Sequence, residues 1–458
     1  MGDLVEQLVE VVGAENVLTG TEVHDDYTHD EALTATAVVP LAVVIPGCTG
    51  EVVGILAVAD RSGTPVIARG SGTGLSGASV PRADGLLISF ERMNQILEID
   101  TENHVAVVQP GVTLEELDAV TARHGLVYPV FPGESSASLG GNVATNAGGM
   151  RAIKYGVTRH QVLALEAVLA TGEVIRTGGR FVKSSTGYDL TQLIVGSEGT
   201  LALVTEATLK LYPRAAHAAT VLIPFASLAE VATSVPRIVA SGAAPLILEY
   251  IDVLTMAAIT ANVGLDLGVP PEVRDAAAAY LVVVLENAHE DRLEQDIESL
   301  AELLGQLGAM DVYVLPAQAA GQLISAREKA FFVAKAAGAD DIIDVVVPRA
   351  AIPAFLAAAA EVAEAHGTLV TGCGHVGDGN VHLSVFQPDA ERRGVVLRAI
   401  FQAGMDLGGA ISGEHGIGTE KKKYFQELED PAKVALMRRI KHAFDPRGIL
   451  GPDILFDQ

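Results

Sequence analysis

Two histidines on either side of a tight turn form the strongest chemical signal in the sequence. Residues 372–384 read GCGHVGDGNVHLS, and Asp-Gly between β-type residues is typical of a two-residue hairpin turn. With Asp378-Gly379 as the turn, His375 pairs with His382, and their Cβ atoms lie about 5 Å apart on one sheet face. The sequence therefore predicts a pair of imidazoles that can bind one metal ion.

A glutamate and a further histidine lie in a second short turn, SGEHG, at residues 412–416. Two histidines with Glu414 and an open position make up the ligand set of a catalytic divalent metal. We expect Zn, with Mn, Fe or Co as alternatives. A lone histidine is usually an ordinary surface or core residue, but two facing histidines with a Glu-His turn favour a metal site. Cys373 is expected to be a small buried residue and not a ligand.

Glycine-rich segments predict a second site. Residues 69–77 read RGSGTGLSG, residues 132–149 read PGESSASLGGNVATNAGG, and residues 196–201 read GSEGTL. Dense glycines let backbone N–H groups approach a phosphate closely, although a merely tight loop is the alternative. A Rossmann site needs a helix that begins at the first loop, but this loop leads into another predicted strand. A Walker loop needs Gly-Lys-Ser/Thr, which the loop lacks, so both kinds of nucleotide-binding site are excluded. The segments predict the walls of a site for a large polar cofactor.

The elements around these segments alternate between strands and helices. Apolar spacing predicts a helix over 3–18, and β-branched runs predict strands near 43–45, 65–68, 86–90 and 105–108. The pattern of predicted strands and helices changes at 213–218. Beyond it, strands (219–223, 245–251, 280–286) and Ala-rich helices (226–240, 290–307, 353–366) predict a sheet with helices on one face, and a helix over 430–444 ends the chain.

Composition excludes several classes of protein. With 31 Lys and Arg against 57 Asp and Glu in 458 residues, the net charge of −26 disfavours nucleic acid as a partner. Cys48 and Cys373 cannot form a disulfide framework. The acidic N-terminus predicts no secretory signal, and no apolar run reaches the ~20 residues of a membrane span. We expect a cytoplasmic protein, with peripheral membrane association as an alternative.

The ordered set of these motifs resembles the FAD-linked oxidases of the vanillyl-alcohol oxidase type (PCMH-type FAD domain). The resemblance rests on 65–73 (PVIARGSGT), 140–149 (GGNVATNAGG), Tyr155-Gly156 and 196–200 (GSEGT), and it extends over about 38–455. It is strongest to the branch with the glycolate oxidase catalytic subunit, D-lactate dehydrogenase and D-2-hydroxyglutarate dehydrogenase.

The resemblance implies an α+β fold. A PCMH-type FAD-binding domain of two α+β subdomains is expected at 1–215, and an α/β cap domain with an antiparallel sheet at 216–411. A C-terminal segment at 412–458 would complete the active site. FAD would be held noncovalently, because the first loop has no histidine. The residues implied to bind it are Arg69, Gly70, Ser71, Gly72, Thr73, Gly74, Gly77, Ser138, Gly141, Asn142, Thr145, Gly148, Glu198, Gly199 and Val204.

The resemblance also implies which residues bind the metal, act as the base and bind the substrate. His375, His382 and Glu414 match the metal ligands of the branch, His415 matches the proposed base, and Arg327 matches an arginine that binds the substrate carboxylate. The expected reaction is therefore oxidation of a D-2-hydroxy acid, with hydride transfer to flavin N5 and a His base near neutral pKa.

Departures from the branch bear on the substrate. Hydroxyglutarate dehydrogenases have a Thr, a Lys and an Asn where this chain has Phe331, Ile342 and Ser384. A distal carboxylate would lose its cation there, which is costly beside apolar groups. We therefore expect a monocarboxylate: D-lactate, glycolate or a larger apolar D-2-hydroxy acid.

Several alternatives remain open at this level. They are a D-2-hydroxyglutarate dehydrogenase, a flavin oxidase that uses O₂, an alkyl-transferring flavoenzyme, and the FAD-binding subunit of a multi-subunit glycolate oxidase. Expected partners are the small-molecule 2-hydroxy acid and an external electron acceptor (quinone, cytochrome or electron-transfer flavoprotein), with a homodimer as an open option.

Overall fold

The computed structural model describes residues 2–457, and its contacts divide the chain into two units. The first unit contains Met1–Gly148, Val157–Arg214 and Glu414–Gln458, and the second contains Gly149–Gly156 and Ala215–Gly413. Helices and strands are mixed throughout, which confirms the predicted α+β class. No helix within residues 2–457 is long and apolar enough to cross a membrane.

Within the described residues, the strands in chain order are β1 (Val17–Leu18), β2 (Ala42–Val44), β3 (Val66–Arg69), β4 (Leu86–Ser89), β5 (Ile96–Asp100), β6 (Val105–Val108), β7 (Leu126–Val127), β8 (Val162–Val168), β9 (Val174–Gly178), β10 (Leu203–Lys210), β11 (Tyr212–Pro213), β12 (His217–Phe225), β13 (Ile247–Asp252), β14 (Ala279–Asn287), β15 (Tyr313–Val314), β16 (Asp341–Val346), β17 (Leu369–Gly374) and β18 (Asn380–Phe386).

The α-helices of the same residues are α1 (Gly2–Val12), α2 (Thr49–Ser62), α3 (Leu114–Thr121), α4 (Leu139–Thr145), α5 (Ala152–Tyr155), α6 (Leu190–Ile194), α7 (Leu228–Ala240), α8 (Val253–Val263), α9 (Pro271–Ala276), α10 (Glu290–Gln306), α11 (Ala317–Glu328), α12 (Ala330–Ala336), α13 (Ile352–Ala365), α14 (Ala390–Asp406), α15 (Lys422–Leu428) and α16 (Pro431–Phe444). Short 3₁₀ turns occur at Ala14–Asn16, Gly20–Glu22, Asp25–Tyr27, Ala122–His124, Thr158–His160 and Arg349–Ala351.

The first helix is shorter than its apolar spacing predicts. α1 ends at Val12 and not at residue 18, because Gly13 adopts φ +87°, a conformation that a helix cannot continue through. A 3₁₀ turn and the short strand β1 occupy the rest of the predicted helix.

The first unit contains two larger sheets, each with its own apolar core, and a two-stranded sheet of β7 and β11. In the four-stranded sheet the order is β1-β2-β4-β3, and in the five-stranded antiparallel sheet it is β5-β6-β10-β8-β9. Helices α1 and α2 pack on the first sheet, and α3 and α4 pack on the second. Two α+β subdomains are therefore present, as the family resemblance implied.

The connection between β3 and β4 positions the first glycine-rich loop. These strands are parallel neighbours, with Arg69 opposite Ser89, yet residues 70–85 contain no helix. Parallel strands are usually joined through a helix, but this connection is a loop. Its backbone N–H and C=O groups at the carboxyl end of β3 are therefore not used in helical hydrogen bonds. The predicted lack of a helix at this loop is confirmed.

The second unit is built on a seven-stranded sheet of order β15-β12-β14-β13-β17-β18-β16. Every pairing between its neighbouring strands is antiparallel. Leu222 and Val282 lie opposite one another and join an apolar cluster with α8 and α11. Val221 and Val283, at alternate positions, are also fully buried. Because alternate residues point to opposite faces, both faces are covered, and the prediction of helices on one face is wrong.

Candidate active site

The histidine pair lies at the end of the β17–β18 hairpin in the second unit. The ring centroids of His375 and His382 are 4.8 Å apart, and the rings are inclined at 79°. Both side chains are buried. The hairpin therefore places two imidazoles side by side.

The register of this hairpin differs from the predicted one. Cys373, and not His375, lies opposite His382, and residues 375–379 form a five-residue connection between the strands. The carbonyl oxygen of His375 accepts the N–H groups of residues 378–380 at 3.1–3.2 Å. These bonds close a wider turn than a two-residue loop, so the predicted cross-strand pairing of the two histidines is wrong. Their rings meet because His375 follows directly after the end of β17.

A buried glutamate that sequence reasoning missed holds His375. Glu249 on β13 is fully buried, and its Oε1 lies 2.5 Å from Nδ1 of His375. Its Oε2 lies 2.7 Å from Nη2 of Arg327. Burial raises the pKa of Glu249, but the charges of His375 and Arg327 outweigh this effect and leave the pKa below its ordinary value. The sequence feature that could have revealed Glu249 was one carboxylate inside the apolar run LILEYI.

A second buried carboxylate, Asp344 on β16, lies beside His382. Oδ1 of Asp344 is 3.8 Å from Nδ1 of His382 and accepts the amide of Asn380 at 2.8 Å. Its Oδ2 accepts the hydroxyl of Ser412 at 2.6 Å and the N–H of Gly413 at 3.1 Å. Asp344 therefore fixes the backbone that immediately precedes Glu414 in the chain. The sequence feature that could have revealed Asp344 was again one acidic residue within an apolar run, IIDVV.

The strand register explains why these groups share one face of the sheet. Cys373 lies opposite both Ile251 and His382, and Asp344 lies opposite His382. Directly opposite residues point to the same face, as do residues two apart on a strand. Glu249, two residues from Ile251, therefore belongs to the face that carries His382 and Asp344.

Arg327 reaches this face from α11. The helix packs on the sheet through Leu323 and Ala326, in the apolar cluster that also contains Ile251 and Cys373. Arg327 follows Ala326 and is 8% exposed. Cys373 is buried in this cluster, as expected, and its burial raises the pKa of the thiol.

Two of the substrate-related positions are neighbours on the sheet. Ile342 on β16 lies opposite Ser384 on β18, one same-face step from Asp344 and His382. Phe331 lies on α12, where its ring stacks edge-on against Phe332 with centroids 5.3 Å apart.

In the first unit, two serines join the first two glycine-rich segments. Ser71 N–H donates to Oγ of Ser138 at 3.3 Å, and Ser138 N–H donates to Oγ of Ser71 at 2.9 Å. A Cβ on Gly70 would collide with Oγ of Ser138. The close approach of the two segments therefore requires glycine at position 70, and it brings the two predicted walls together.

Arg69 lies beneath the first loop. Its Nη1 donates to the carbonyl of His29 at 2.6 Å, and a Cβ on Gly72, which has φ +76°, would collide with the guanidinium group. Burial lowers the pKa of Arg69. Burial also raises the pKa of the neighbouring Asp30 to about 6, against the opposing effects of backbone N–H groups and Arg69.

The second segment forms α4, which contains several of the predicted cofactor residues. Ser138 caps the helix by accepting the N–H of Gly141, and the Thr145 hydroxyl donates to the Gly141 carbonyl at 3.0 Å. Asn142 is buried, and its Nδ2 has no hydrogen-bond partner among residues 2–457. A buried amide donor of this kind is expected to have a partner. The segment therefore fits a bound polar group such as FAD.

The remaining predicted residues of the first unit lie in the first loop, in the third glycine-rich segment and on β10. Gly77 packs against Thr419, Gly74 lies close to Asp30, and Gly199 lies against Ala68. Thr73 is in the first loop and Val204 is on β10.

Glu198 accepts the N–H groups of Ile417 and Gly418. A Cβ on Gly148 would lie 2.5 Å from Oε2 of Glu414. The His415 carbonyl accepts the hydroxyl of Ser76 at 2.7 Å. The structure therefore brings the Glu414–His415 turn to all three glycine-rich segments.

Comparisons with known proteins identify the family. Residues 40–178 match the FAD binding domain family, and residues 214–454 match the C-terminal domain of FAD linked oxidases.

Similar proteins cover nearly the whole chain. An uncharacterized FAD-linked oxidoreductase of Mycobacterium tuberculosis is 58% identical over 456 residues, 100% of this chain and 99% of that protein. A D-lactate dehydrogenase of Archaeoglobus fulgidus is 38% identical over 93% of this chain and 95% of its own length. A D-2-hydroxyglutarate dehydrogenase of Xanthomonas citri is 35% identical over 91% and 89%.

The fold agrees with a solved structure of the PCMH type. p-Cresol methylhydroxylase with bound substrate superimposes with a TM-score of 0.79 at 17% identity, covering 100% of this chain and 97% of that one. The predicted fold class is thereby confirmed. The chain belongs to the family of FAD-linked oxidases, and it is an FAD-linked oxidoreductase with an FAD-binding domain.

Proposed function

We propose that the protein oxidises a monocarboxylic 2-hydroxy acid, D-lactate, glycolate or a larger apolar D-2-hydroxy acid, to the 2-oxo acid. One observation carries the proposal. The buried carboxylate of Glu249 holds an imidazole, His375, and a guanidinium, Arg327, within 2.5 and 2.7 Å. One carboxylate thereby orients both an imidazole, a type of side chain that binds metals, and a guanidinium, a type that binds carboxylates. The similarity to D-lactate dehydrogenase supports this assignment.

The histidine pair fits a divalent cation. Nδ1 of His375 is engaged with Glu249, so a cation bound by this ring would be bound through Nε2. Metal-bound histidines commonly donate their other N–H to a carboxylate in this way. Glu414 is the proposed third ligand, and Zn is the proposed ion, with Mn, Fe or Co as alternatives. Such an ion would lower the pKa of a bound hydroxyl group.

The other roles are assigned to residues of this chain. Arg327 binds the substrate carboxylate, for which its planar guanidinium is suited. His415 takes the proton from the substrate hydroxyl at a ring nitrogen. FAD supplies the acceptor for the hydride. We propose that it is held noncovalently at the glycine-rich segments joined by Ser71 and Ser138, since residues 69–77 contain no histidine.

Apolar side chains favour a monocarboxylate over a dicarboxylate. Ile342 lies directly opposite Ser384, on the sheet face that carries His382. Neither side chain can neutralise a second carboxylate, and an unpaired charge beside apolar groups is costly. A substrate with a short or apolar C3 substituent fits these positions better than hydroxyglutarate does.

The test is anaerobic reduction of the bound flavin by a panel of substrates, followed at the flavin absorbance band. We expect D-lactate or glycolate to reduce the flavin faster than L-lactate and D-2-hydroxyglutarate. The variant His382→Ala should lose this reduction, whereas the matched variant His124→Ala, at an exposed histidine, should retain it. Faster reduction by D-2-hydroxyglutarate would overturn the substrate assignment. Reoxidation by air, compared with a quinone, then separates an oxidase from a dehydrogenase with an external acceptor.

A further inference from the structure

The turn that carries the proposed base has no regular secondary structure of its own. Residues 413–421 lie between an isolated β-bridge at Ser412 and α15. The backbone groups of such a segment need partners from elsewhere in the fold, or they pay a desolvation cost. The position of His415 therefore depends on which groups supply those partners.

Glu198 supplies two of them. Its Oε1 accepts the N–H of Ile417 at 2.6 Å, and its Oε2 accepts the N–H of Gly418 at 2.7 Å. The residue is 7% exposed. Both carboxylate oxygens are thus directed at the backbone two and three residues after His415. Burial raises the pKa of the Glu198 carboxyl, and the two backbone N–H groups oppose this effect.

Ser76 binds the same turn from the first glycine-rich segment. Its hydroxyl lies 2.7 Å from the carbonyl of His415 and 3.0 Å from that of Gly416. Its own carbonyl accepts the N–H groups of Thr419 and Glu420 at 3.0 and 3.2 Å. The turn is therefore held on both sides of Ile417.

Glycines make this close fit possible. Gly416 has φ +82°, and a Cβ on it would lie 2.7 Å from Oε1 of Glu198. Gly418 has φ +54°, and a Cβ on it would collide with the Ser76 carbonyl. Any side chain at either position would push the turn away from its anchors.

Glu198 is itself fixed in an unusual conformation. Its φ is +52°, in the left-handed region that non-glycine residues rarely adopt. Its N–H donates to the carbonyl of Ala144 on α4 at 2.7 Å, and that of Gly196 donates to Val143 at 2.9 Å. The strain persists because the surrounding bonds over-determine the turn, which is typical of functional positions.

We propose that Glu198 is a positioning residue for His415, acting through the N–H groups of Ile417 and Gly418, and not a flavin contact. Ser76 assists it through the His415 carbonyl. The inference rests on the proposed function, since it takes His415 as the base. In this arrangement the buried carboxylate of Glu198 connects α4, which belongs to the second glycine-rich segment, to the proposed base His415.

The test is a double-mutant cycle on the holoenzyme, read as the rate of flavin reduction at saturating D-lactate. We expect Glu198→Ala to keep its FAD and its substrate affinity and to reduce the flavin on the order of 100-fold more slowly, as for a misplaced catalytic group. Ser76→Ala should slow reduction less. In the His415→Ala background, Glu198→Ala should add less than about 3-fold, because residues that act as a unit are not additive.

Two further variants keep the test decisive. Glu198→Gln retains one acceptor and should give an intermediate rate, so it serves if the alanine variant folds poorly. Glu166→Ala removes a buried glutamate that accepts bonds from Thr49 and Thr205. It should lower stability and yet leave the rate and its dependence on His415 unchanged.

The outcomes separate this inference from the proposed function. Loss of FAD from Glu198→Ala, full activity in that variant, or additive effects with His415→Ala would overturn the positioning role alone. Unimpaired reduction in His415→Ala would overturn the assigned base and, with it, this inference.

Discussion

Replacing Glu249 by alanine should damage both stability and metal binding. The carboxylate is fully buried and holds Nδ1 of His375 and Nη2 of Arg327 at 2.5 and 2.7 Å. Its removal leaves a guanidinium 8% exposed without its buried counter-charge. Breaking a buried ion pair by removing one partner costs about 3 to 5 kcal/mol. Loss of the carboxylate behind a metal-binding histidine typically lowers metal affinity about 10- to 100-fold.

Urea unfolding and metal titration measure the two effects separately. We expect Glu249→Ala to lower the free energy of unfolding by about 3 to 5 kcal/mol. Glu249→Gln keeps the shape of the side chain but not its charge. Its free energy of unfolding should fall between those of the parent protein and Glu249→Ala. The matched control is Glu298→Ala, at an exposed position of α10 in the same unit, which should change the free energy by less than about 0.5 kcal/mol.

A small effect would refute the reasoning. If Glu249→Ala unfolds within about 0.5 kcal/mol of the parent protein and binds metal equally well, the carboxylate does not hold the two cationic groups together.

Three further variants test other parts of the structure. Arg327→Lys should raise KM for D-lactate about 10- to 100-fold with a smaller change in kcat, because a planar fork is replaced by a point charge; steady-state kinetics of the holoenzyme check this, and an unchanged KM would contradict it. Ser138→Ala removes the cap of α4 and the bond from Ser71 N–H and should weaken FAD binding about 5- to 10-fold in a fluorescence titration, whereas equal affinity would speak against the serine contact. Asp30→Asn should stabilise the protein at pH 8 and have little effect at pH 4. The folded-state pKa is raised from 3.8 to about 6, so the folded state binds the extra proton and parental stability falls as the pH rises from about 4 to above 6, by up to about 3 kcal/mol. Stability curves that stay parallel across this pH range would contradict it.

The glycine-rich segments were predictable because backbone chemistry is local. Glycine at 72 is required by Arg69 at the start of the same loop, whereas glycine at 70 is required by Ser138 of the second segment. The absence of a helix after residue 69 follows from the sequence that precedes Pro81. Serine, threonine and asparagine without charge indicated a polar cofactor site. The pairing of Ser71 with Ser138, which are 67 residues apart, could not be read from local spacing.

The histidine pair shows where local reasoning ends. An Asp-Gly step between β-type residues favours a two-residue turn, yet the N–H groups of residues 378–380 bond to the His375 carbonyl and widen the connection. Register depends on the neighbouring strand, since β17 also pairs with β13. The adjacency of the two imidazoles was predicted correctly, and the backbone that produces it was not.

Glu249 and Asp344 were missed for a different reason. Each is one acid inside an apolar run of its strand, LILEYI or IIDVV, and sequence alone does not show what lies across the sheet. The partners of Glu249 come from β17's end and from α11, 126 and 78 residues further along the chain. Long-range packing brings them together, and a charged residue inside a buried strand is the clue that can be used in other chains.

The most direct measurement is the rate of anaerobic flavin reduction by D-lactate before and after removal of divalent metal with a chelator. We expect the purified protein to carry FAD, to lose reduction at least about 100-fold when stripped of metal, and to regain it on addition of Zn, Mn, Fe or Co. Equal rates in the stripped and reloaded protein, with FAD retained in both, would contradict the claim that His375 and His382 bind a catalytic cation.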